Sequence, residues 1–313
     1  MESGVVVVTS ENQKTLDLLR QVLPSPRWDG TDFLDWVYDH NPTGPLVPFN
    51  VDLDGRRVCH IGGVPVPLRN GELDGVGLLL LNSSTAPDEQ QKGTYAKAIR
   101  AIAELAGEQG MLGVFGVTNA DSTGPALRGA KGSWQCSLPV RLCVPWRPPI
   151  GVRSHDADPQ WLAGDEFATL TRRLDRQPAR DLTCRWSTDL LRWRLLTPGT
   201  RYAVHWNDAL VAVTTRTVFR GVPITIVLKL LPREGRTGPL TPQPHITAAC
   251  RHHRTPLALY AGVNVHVPVS GIRLSQERLP APLNLVMISS RPDLLAQHRF
   301  VFDAFEFLDF DAY

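Results

Sequence analysis

The most constraining feature of the sequence is an apolar strand, a polar turn and an amphipathic helix that follow one another between residues 77 and 108. Residues 77–81 are almost continuously apolar, which predicts a central strand covered on both faces. Over 91–108 apolar residues recur on one helical face, and Gly110 follows as a C-terminal cap. The turn at 87–94 has the sequence Pro-Asp-Glu-Gln-Gln-Lys-Gly-Thr. Its backbone N–H groups, at the positive end of the helix dipole, favour binding of a phosphate group.

The rest of the chain predicts two α/β (α+β) domains. In the first half we expect helices at 11–22, 32–38 and 124–130, and strands at 5–8, 47–53, 57–66, 112–117 and 134–144. In the second half we expect helices at 165–175, 188–196 and 243–253, and strands at 202–207, 209–219 and 223–231. The proline-rich segment at 145–154 predicts a linker, so we place the domains at 1–154 and 155–313.

The two halves share a similar order of elements, which indicates a diverged internal duplication. Each half would then form a mixed, mostly antiparallel sheet flanked by helices. A chance likeness between two helix-and-hairpin stretches is the alternative.

Composition excludes several functional classes. The net charge of +2 is too small for the basic surface that binds nucleic acid. The five cysteines contain no Cys-x-x-Cys pair, and His245, His252 and His253 lack zinc-site spacing, so we expect no disulfide framework and no metal. The sequence shows no secretion signal and no apolar run near the ~20 residues that cross a bilayer. We therefore expect a soluble cytoplasmic protein without nucleic-acid or membrane partners.

The polar turn resembles the phosphate loop of the GNAT superfamily of N-acetyltransferases. That loop has the pattern Arg/Gln-x-x-Gly-x-Gly/Ala between the fourth strand and the third helix, and Gln90-Gln91-Lys92-Gly93-Thr94-Tyr95 matches its first and fourth positions. Tyr95 stands where the family has a small residue. The order of elements over 75–144, with Asn119 and Ser122 just after the next strand, is similar to that of the family.

A second stretch extends this resemblance over nearly the whole chain. Residues 33–45 resemble the Trp-x-Tyr-x-x-Asn-Pro-x-Gly-Pro segment of two-domain GNAT proteins from polysaccharide and natural-product clusters. The resemblance implies tandem GNAT-like domains. The second would be degenerate, because its segment at 233–238 misses the phosphate pattern, and it would shape the acceptor pocket.

The function that the resemblance implies is direct transfer of an acyl group from acetyl-CoA or another acyl-CoA to the amine of a small molecule, often an amino sugar. No metal and no covalent enzyme intermediate would be needed. The donor would bind to the first domain. The implied donor-binding residues are Asn82, Ser83, Ser84, Gln90, Gln91, Lys92, Gly93, Thr94, Tyr95, Asn119 and Ser122.

The general base is harder to assign. An alkylammonium with a pKa of about 10 must lose a proton before it attacks a thioester. The strand residues at 77–86 and 112–117 offer no carboxylate. The remaining candidates are His60, His40, Asp35 and Tyr38, with Tyr38 also a candidate acid for the departing thiolate. A buried structural role for His60, and a structural or surface role for the others, is the alternative in each case.

Two other functions stay open at this point. A relative of the Fem peptidyl transferases would use aminoacyl-tRNA through a basic groove and would lack the phosphate loop. A GNAT-like binding protein would have lost catalysis, which Tyr95 and the missing strand carboxylate would fit. The chain is expected to be a monomer or a homodimer.

Overall fold

The computed structural model describes residues 12–30, 32–176, 179–219, 221–233, 240–291, 293–294 and 298–310. The α-helices are α1 (Asn12–Val22), α2 (Asp32–Asp39), α3 (Thr94–Glu108), α4 (Ala120–Gly129), α5 (Pro159–Ala163), α6 (Asp165–Thr171), α7 (Thr188–Leu195) and α8 (Gln243–His253). The strands are β1 (Val47–Leu53), β2 (Arg56–Asn70), β3 (Leu73–Thr85), β4 (Gly113–Thr118), β5 (Ser133–Ser137), β6 (Val140–Cys143), β7 (Arg153–Asp156), β8 (Leu182–Cys184), β9 (Tyr202–Trp206), β10 (Leu210–Phe219), β11 (Val222–Pro232), β12 (Ala258–Asn264), β13 (Ile272–Arg273), β14 (Asn284–Ser289) and β15 (Phe302–Glu306). The strand predicted at 5–8 lies outside the described residues.

The chain forms two compact units that are not consecutive stretches. Unit 1 takes the described residues up to 68, together with those of 74–137 and 281–300. Unit 2 takes those of 69–73, 138–280 and 301–310. The described residues of 281–300, which include β14, therefore belong to the same unit as most of the first half of the chain. Our division into functional domains at residue 154 stays a prediction.

Unit 1 contains a mixed sheet in the order β1-β2-β3-β4-β14-β5. Antiparallel β1 and β2 are joined at Asp54-Gly55, where both residues have positive φ, as a type I′ turn requires. Strands β3 and β4 are parallel, and β14 pairs antiparallel with β4 and β5. Helix α3 packs Ile99 and Ile102 into the same core as Leu78 of β3. Gly110, with φ of 71°, follows the end of α3 as predicted.

Unit 2 repeats much of this order. Its sheet runs β7-β9-β10-β11-β12, with β11 and β12 parallel, and β6, β13, β15 and β8 complete it. The succession α7-β9-β10-β11-α8-β12 corresponds to α2-β1-β2-β3-α3-β4 of unit 1. This correspondence confirms the tandem α/β fold class predicted from the sequence.

Some predicted bounds were wrong. The strand expected at 134–144 is two strands, β5 and β6, because Pro139 between them has no N–H to donate to a sheet. The two strands pair in different units, β5 with β14 and β6 with β12. The helix expected at 124–130 already begins at Ala120, and the helix expected at 165–175 ends at Thr171.

Candidate functional site

The candidate site is a gap in the sheet of unit 1, where β3 and β4 separate. Their pairing covers only Gly77–Leu79 against Gly113–Phe115, although β3 continues to Thr85. Asn82 lies within this free part of β3 and has φ of 52°, a left-handed conformation that is uncommon for a residue other than glycine. A left-handed residue inside a strand interrupts the pleat and bends the strand.

Two polar side-chain atoms on the free part of β3 are buried without a well-formed hydrogen bond. They are Nδ2 of Asn82 and Oγ of Ser84. The Asn82 amide also lies close enough to the Tyr38 hydroxyl to act on the pKa of that group. A buried polar atom that makes no hydrogen bond costs about 1–3 kcal/mol, so such atoms often mark a place where a ligand supplies the partner.

The turn that leads from β3 into α3 presents free backbone N–H groups. The N–H groups of Glu89 and Gln90 bond back to Ala86 and Pro87, and the N–H of Lys97 bonds to the carbonyl of Gly93. The N–H groups of residues 94–96 lie in the first turn of a 15-residue helix, where an N–H group has no intrahelical acceptor.

Gly93 gives this turn its shape. Its φ is 81°, Gln91 is also left-handed, and a Cβ added at Gly93 would meet nothing within 4 Å. The turn is therefore open to solvent at the position where a phosphate would approach the backbone.

The side chains of the turn are largely engaged with one another. Lys92 Nζ lies 2.9 Å from Glu89 Oε1, and Asp88 pairs with Arg56 of β2. Gln90 Nε2 donates to the Thr85 carbonyl at 3.1 Å. The attraction for an anion at this turn therefore comes mainly from backbone N–H groups and the dipole of α3.

Tyr95 does not obstruct the turn. Its ring packs against the core of unit 1, and its hydroxyl lies near Ser83. Burial, together with nearby Cys59, raises the pKa of this hydroxyl to about 12, although Ser83 opposes the shift. The large side chain at this position thus enters the protein interior.

Asn119 and Ser122 cap the N-terminus of α4. Asn119 Oδ1 accepts the Ser122 N–H at 2.9 Å, and the Asn119 N–H donates to Ser122 Oγ at 3.1 Å, a capping box at the start of α4. The predicted donor-binding role of these two residues has no further support from their contacts.

His60 and Tyr38 form a buried pair beside Asn82. Tyr38 Oη lies 2.7 Å from His60 Nε2, and His60 Nδ1 lies 2.7 Å from Asn50 Oδ1. Because the Asn50 oxygen can only accept, Nδ1 carries the proton, and Nε2 accepts the Tyr38 hydroxyl proton. His60 is fully buried and has no exposed surface of its own for a ligand to contact.

Electrostatics keep this pair neutral. Burial, assisted by the nearby Arg57 charge, lowers the pKa of His60 to about 3. Burial also raises the pKa of Tyr38, against the opposing effects of Arg57 and Asn82. A histidine with such a low pKa is a poor base for an ammonium group.

The structure does not bring the other two candidates into this pair. Asp35 accepts a hydrogen bond from Asn12 of α1 at 2.9 Å, and His40 is exposed just after α2. Sequence reasoning missed Asn50, whose amide oxygen fixes the tautomer of His60.

Among the residues that the structure describes, no group of His, Cys, Asp or Glu side chains is arranged to hold a metal ion. Within the same ranges, no helix is both long and apolar enough to cross a bilayer.

No protein-family model matches the sequence, and a comparison with curated proteins finds no match. Solved structures do match. A GCN5-related N-acetyltransferase from Anabaena variabilis has a TM-score of 0.60 and 11% identity, over 90% of this chain and 71% of its own.

Two further structures are similar. A tandem GNAT protein from the clavulanic acid biosynthesis pathway has a TM-score of 0.51 and 11% identity, over 93% of this chain and 99% of its own. The Saccharomyces cerevisiae N-myristoyltransferase, solved with bound myristoyl-CoA, has a TM-score of 0.56 and 8% identity, over 92% and 83%. With its separating parallel strands and the open turn into α3, this chain has the fold of the GCN5-related N-acetyltransferases.

Proposed function

We propose that the chain is an acyl-CoA-dependent N-acyltransferase that binds its donor in the gap between β3 and β4 and acylates the amine of an amino sugar. The observation that carries the proposal is the continuity of this gap with the open turn at the start of α3. The donor has a pyrophosphate at one end and two amides in its arm. It therefore needs a phosphate-binding turn and a free strand edge next to each other. The fold supports the acyltransferase class. The amino-sugar acceptor is proposed on separate grounds, given below.

The polar atoms of the gap fit such a donor. The pyrophosphate would lie against the N–H groups around Gly93, where the helix dipole favours negative charge. The pantetheine amides would pair with the free edge of β3 beyond Leu79, as an added strand does. The unpartnered Ser84 Oγ and Asn82 Nδ2 would gain partners from the amides and the thioester.

We assign the reacting end of the donor to Asn82 and Tyr38. In the reaction the ammonium first loses one proton to water, and the neutral amine nitrogen then bonds to the thioester carbonyl carbon. The C–S bond breaks, and the second proton lost by nitrogen is taken up through water by the departing thiolate. The carbonyl oxygen becomes negative on the way, and Asn82 Nδ2 is a preoriented donor for it. Tyr38, held by His60, lies close to this amide, and His60 itself stays neutral.

The acceptor assignment rests on the resemblance of residues 33–45 to two-domain proteins of polysaccharide and natural-product clusters. A panel of amino sugars and other amines, incubated with several acyl-CoAs and read by mass spectrometry, tests it. Acylation of other amines and no amino sugar would contradict the assignment of the acceptor class while leaving the donor chemistry intact.

Donor binding is tested by calorimetric titration with acetyl-CoA. Wild-type protein should bind, and Gly93→Asp should abolish binding, because its carboxylate would face the pyrophosphate. Gly93→Asn is the matched control, because the asparagine side chain has the shape of aspartate without its charge. Both residues tolerate the left-handed φ of 81° at this position. Equal affinity of the Asp and Asn variants would refute the assigned loop. No binding by the wild type would refute the proposal and favour a Fem-like aminoacyl transferase or a decayed binding protein.

A further inference from the structure

Unit 2 has a second gap of the same kind. Strands β11 and β12 pair only over Thr225–Val227 and Ala258–Tyr260. Strand β11 then continues to Pro232 and β12 to Asn264. This is the arrangement of β3 and β4 in unit 1, so the chain contains its own comparison for what such a gap holds.

The gap of unit 2 is filled by β15. Residues 304–306 of β15 pair antiparallel with residues 262–264 of β12. The pairing of β12 with β11 ends just before, at Tyr260. The edge of β12 on which β15 lies can be identified from the backbone hydrogen bonds. In a strand, the N–H groups of two residues that are an odd number of positions apart point to opposite edges. The Gly262 N–H donates to Pro139 on the β6 edge, whereas the Val265 N–H donates to Asp303 of β15. Strand β15 therefore lies on the edge that β11 leaves.

Side chains complete the filling at Leu230 of β11. Asn264 Nδ2 donates to the Leu230 carbonyl at 3.0 Å, and the Leu230 N–H donates to Glu306 Oε2 at 3.4 Å. The backbone groups that an amide of a bound donor would use are thus taken by the chain itself. Gly262 permits the close approach, since a Cβ there would lie 2.5 Å from the Phe305 carbonyl oxygen.

A buried ionic cluster fixes β15 in place. Lys229 Nζ lies 2.6 Å from Asp309 Oδ2 and 3.0 Å from Glu306 Oε2. Trp186 Nε1 donates to Asp309 Oδ1 at 3.2 Å. All three charged side chains are at least 96% buried. Burial acts to lower the pKa of Lys229, but Asp309 and Glu306 outweigh it and hold that pKa above its usual value.

We infer that unit 2 binds no acyl-CoA, because strand β15 with Glu306 occupies the gap, and that each chain therefore takes a single donor molecule. The count of one rests on the proposed function of unit 1. Among the strands that the structure describes, none pairs with the corresponding edge of β3 beyond Leu79. The two units thus differ in which molecule completes the sheet, an external ligand in one and the chain's own strand in the other.

The stoichiometry of the acetyl-CoA titration tests the inference with the full-length chain. One equivalent should bind to the wild type and to Gly93→Asn, and none to Gly93→Asp. Two equivalents in the wild type, with one remaining in Gly93→Asp, would overturn the inference and leave the proposed function standing. One equivalent that Gly93→Asp does not weaken would place the donor outside the α3 turn, and would overturn both.

Hydrogen exchange in the absence of ligand tests the filled gap whether or not CoA binds. Backbone amides of residues 303–306 should exchange as slowly as those of the core strand β10, because β15 is held on β12 and by the ionic cluster. Rapid exchange of 303–306 while β10 stays protected would show that the gap opens freely, and would overturn the inference.

Discussion

Buried histidines should make the fold sensitive to mild acid, and His60 allows the effect to be calculated. Burial lowers the pKa of His60 from 6.5 to about 3. Between these two values the unfolded chain binds a proton that the folded chain does not, so the free energy of unfolding rises with pH and falls as the solution is acidified. The loss begins near pH 6.5 and continues to about pH 3. Its slope is about 1.4 kcal/mol per pH unit for this single group.

Between pH 6.5 and pH 4, His60 should therefore cost about 3 kcal/mol, a large part of a typical stability of about 5–15 kcal/mol. His245 of α8, whose pKa burial lowers to about 4, should add a loss of similar size. Glu306 acts in the opposite direction, because burial raises its pKa in spite of Lys229. The difference between variants is consequently a cleaner readout than the total slope.

The assay is urea unfolding of wild type and His60→Gln at several values between pH 4 and pH 6.5. The variant should be less stable near neutral pH, because the Tyr38 and Asn50 hydrogen bonds are lost, but its stability should fall less steeply with acid, by about 1.4 kcal/mol per pH unit. Tyr38→Phe is the control, since it keeps the buried imidazole and should keep the steep dependence. Equal slopes for wild type and His60→Gln would refute the neutral, buried histidine.

Three further substitutions have definite expected outcomes. Lys229→Met should lower the free energy of unfolding by about 3–5 kcal/mol in urea, because it leaves buried carboxylates unpaired; a loss below about 1 kcal/mol would contradict the cluster. Asn82→Ala should lower kcat by about 10²- to 10³-fold with little change in acetyl-CoA affinity, if the amide acts on the transition state, and an unchanged kcat would exclude that role. Tyr95→Phe should leave the calorimetric affinity for acetyl-CoA within about two-fold, because the ring lies in the core; a large loss would mean that its hydroxyl contacts the donor.

Local patterns predicted the elements that form the donor half of the site. The apolar run at 77–81, the polar turn with Gly93 and the amphipathic face of α3 are all short-range signals, and the structure has a strand, a turn and a helix at these places. The structure adds that Gly93 has a left-handed φ, a conformation that glycine adopts without strain.

The sequence did not predict the pairing of strands that lie far apart along the chain. Strand β14 comes from residues 284–289 and pairs between β4 and β5, a connection that no local pattern encodes. The role of Asn50 was hidden by one irregularity. A regular hairpin about Asp54-Gly55 would set Asn50 opposite Cys59, but the register shifts between Val51 and Asp52 and sets it opposite His60.

Tyr95 shows a third limit. The sequence places a large residue where a phosphate loop usually has a small one, and this suggested a damaged site. The structure directs the ring into the core beside Cys59 and leaves the turn open. Side-chain direction at a helix start depends on packing around it, which sequence spacing alone does not give.

If the donor lies in the gap of unit 1, saturating acetyl-CoA should slow hydrogen exchange there and leave unit 2 unchanged. Residues 82–97, which form the free part of β3, the turn and the start of α3, should exchange more slowly when the donor is present. Residues 228–232 and 258–264 of unit 2 should not change. Protection in those unit 2 strands, or no protection of residues 82–97 although acetyl-CoA binds, would contradict donor binding in the gap of unit 1.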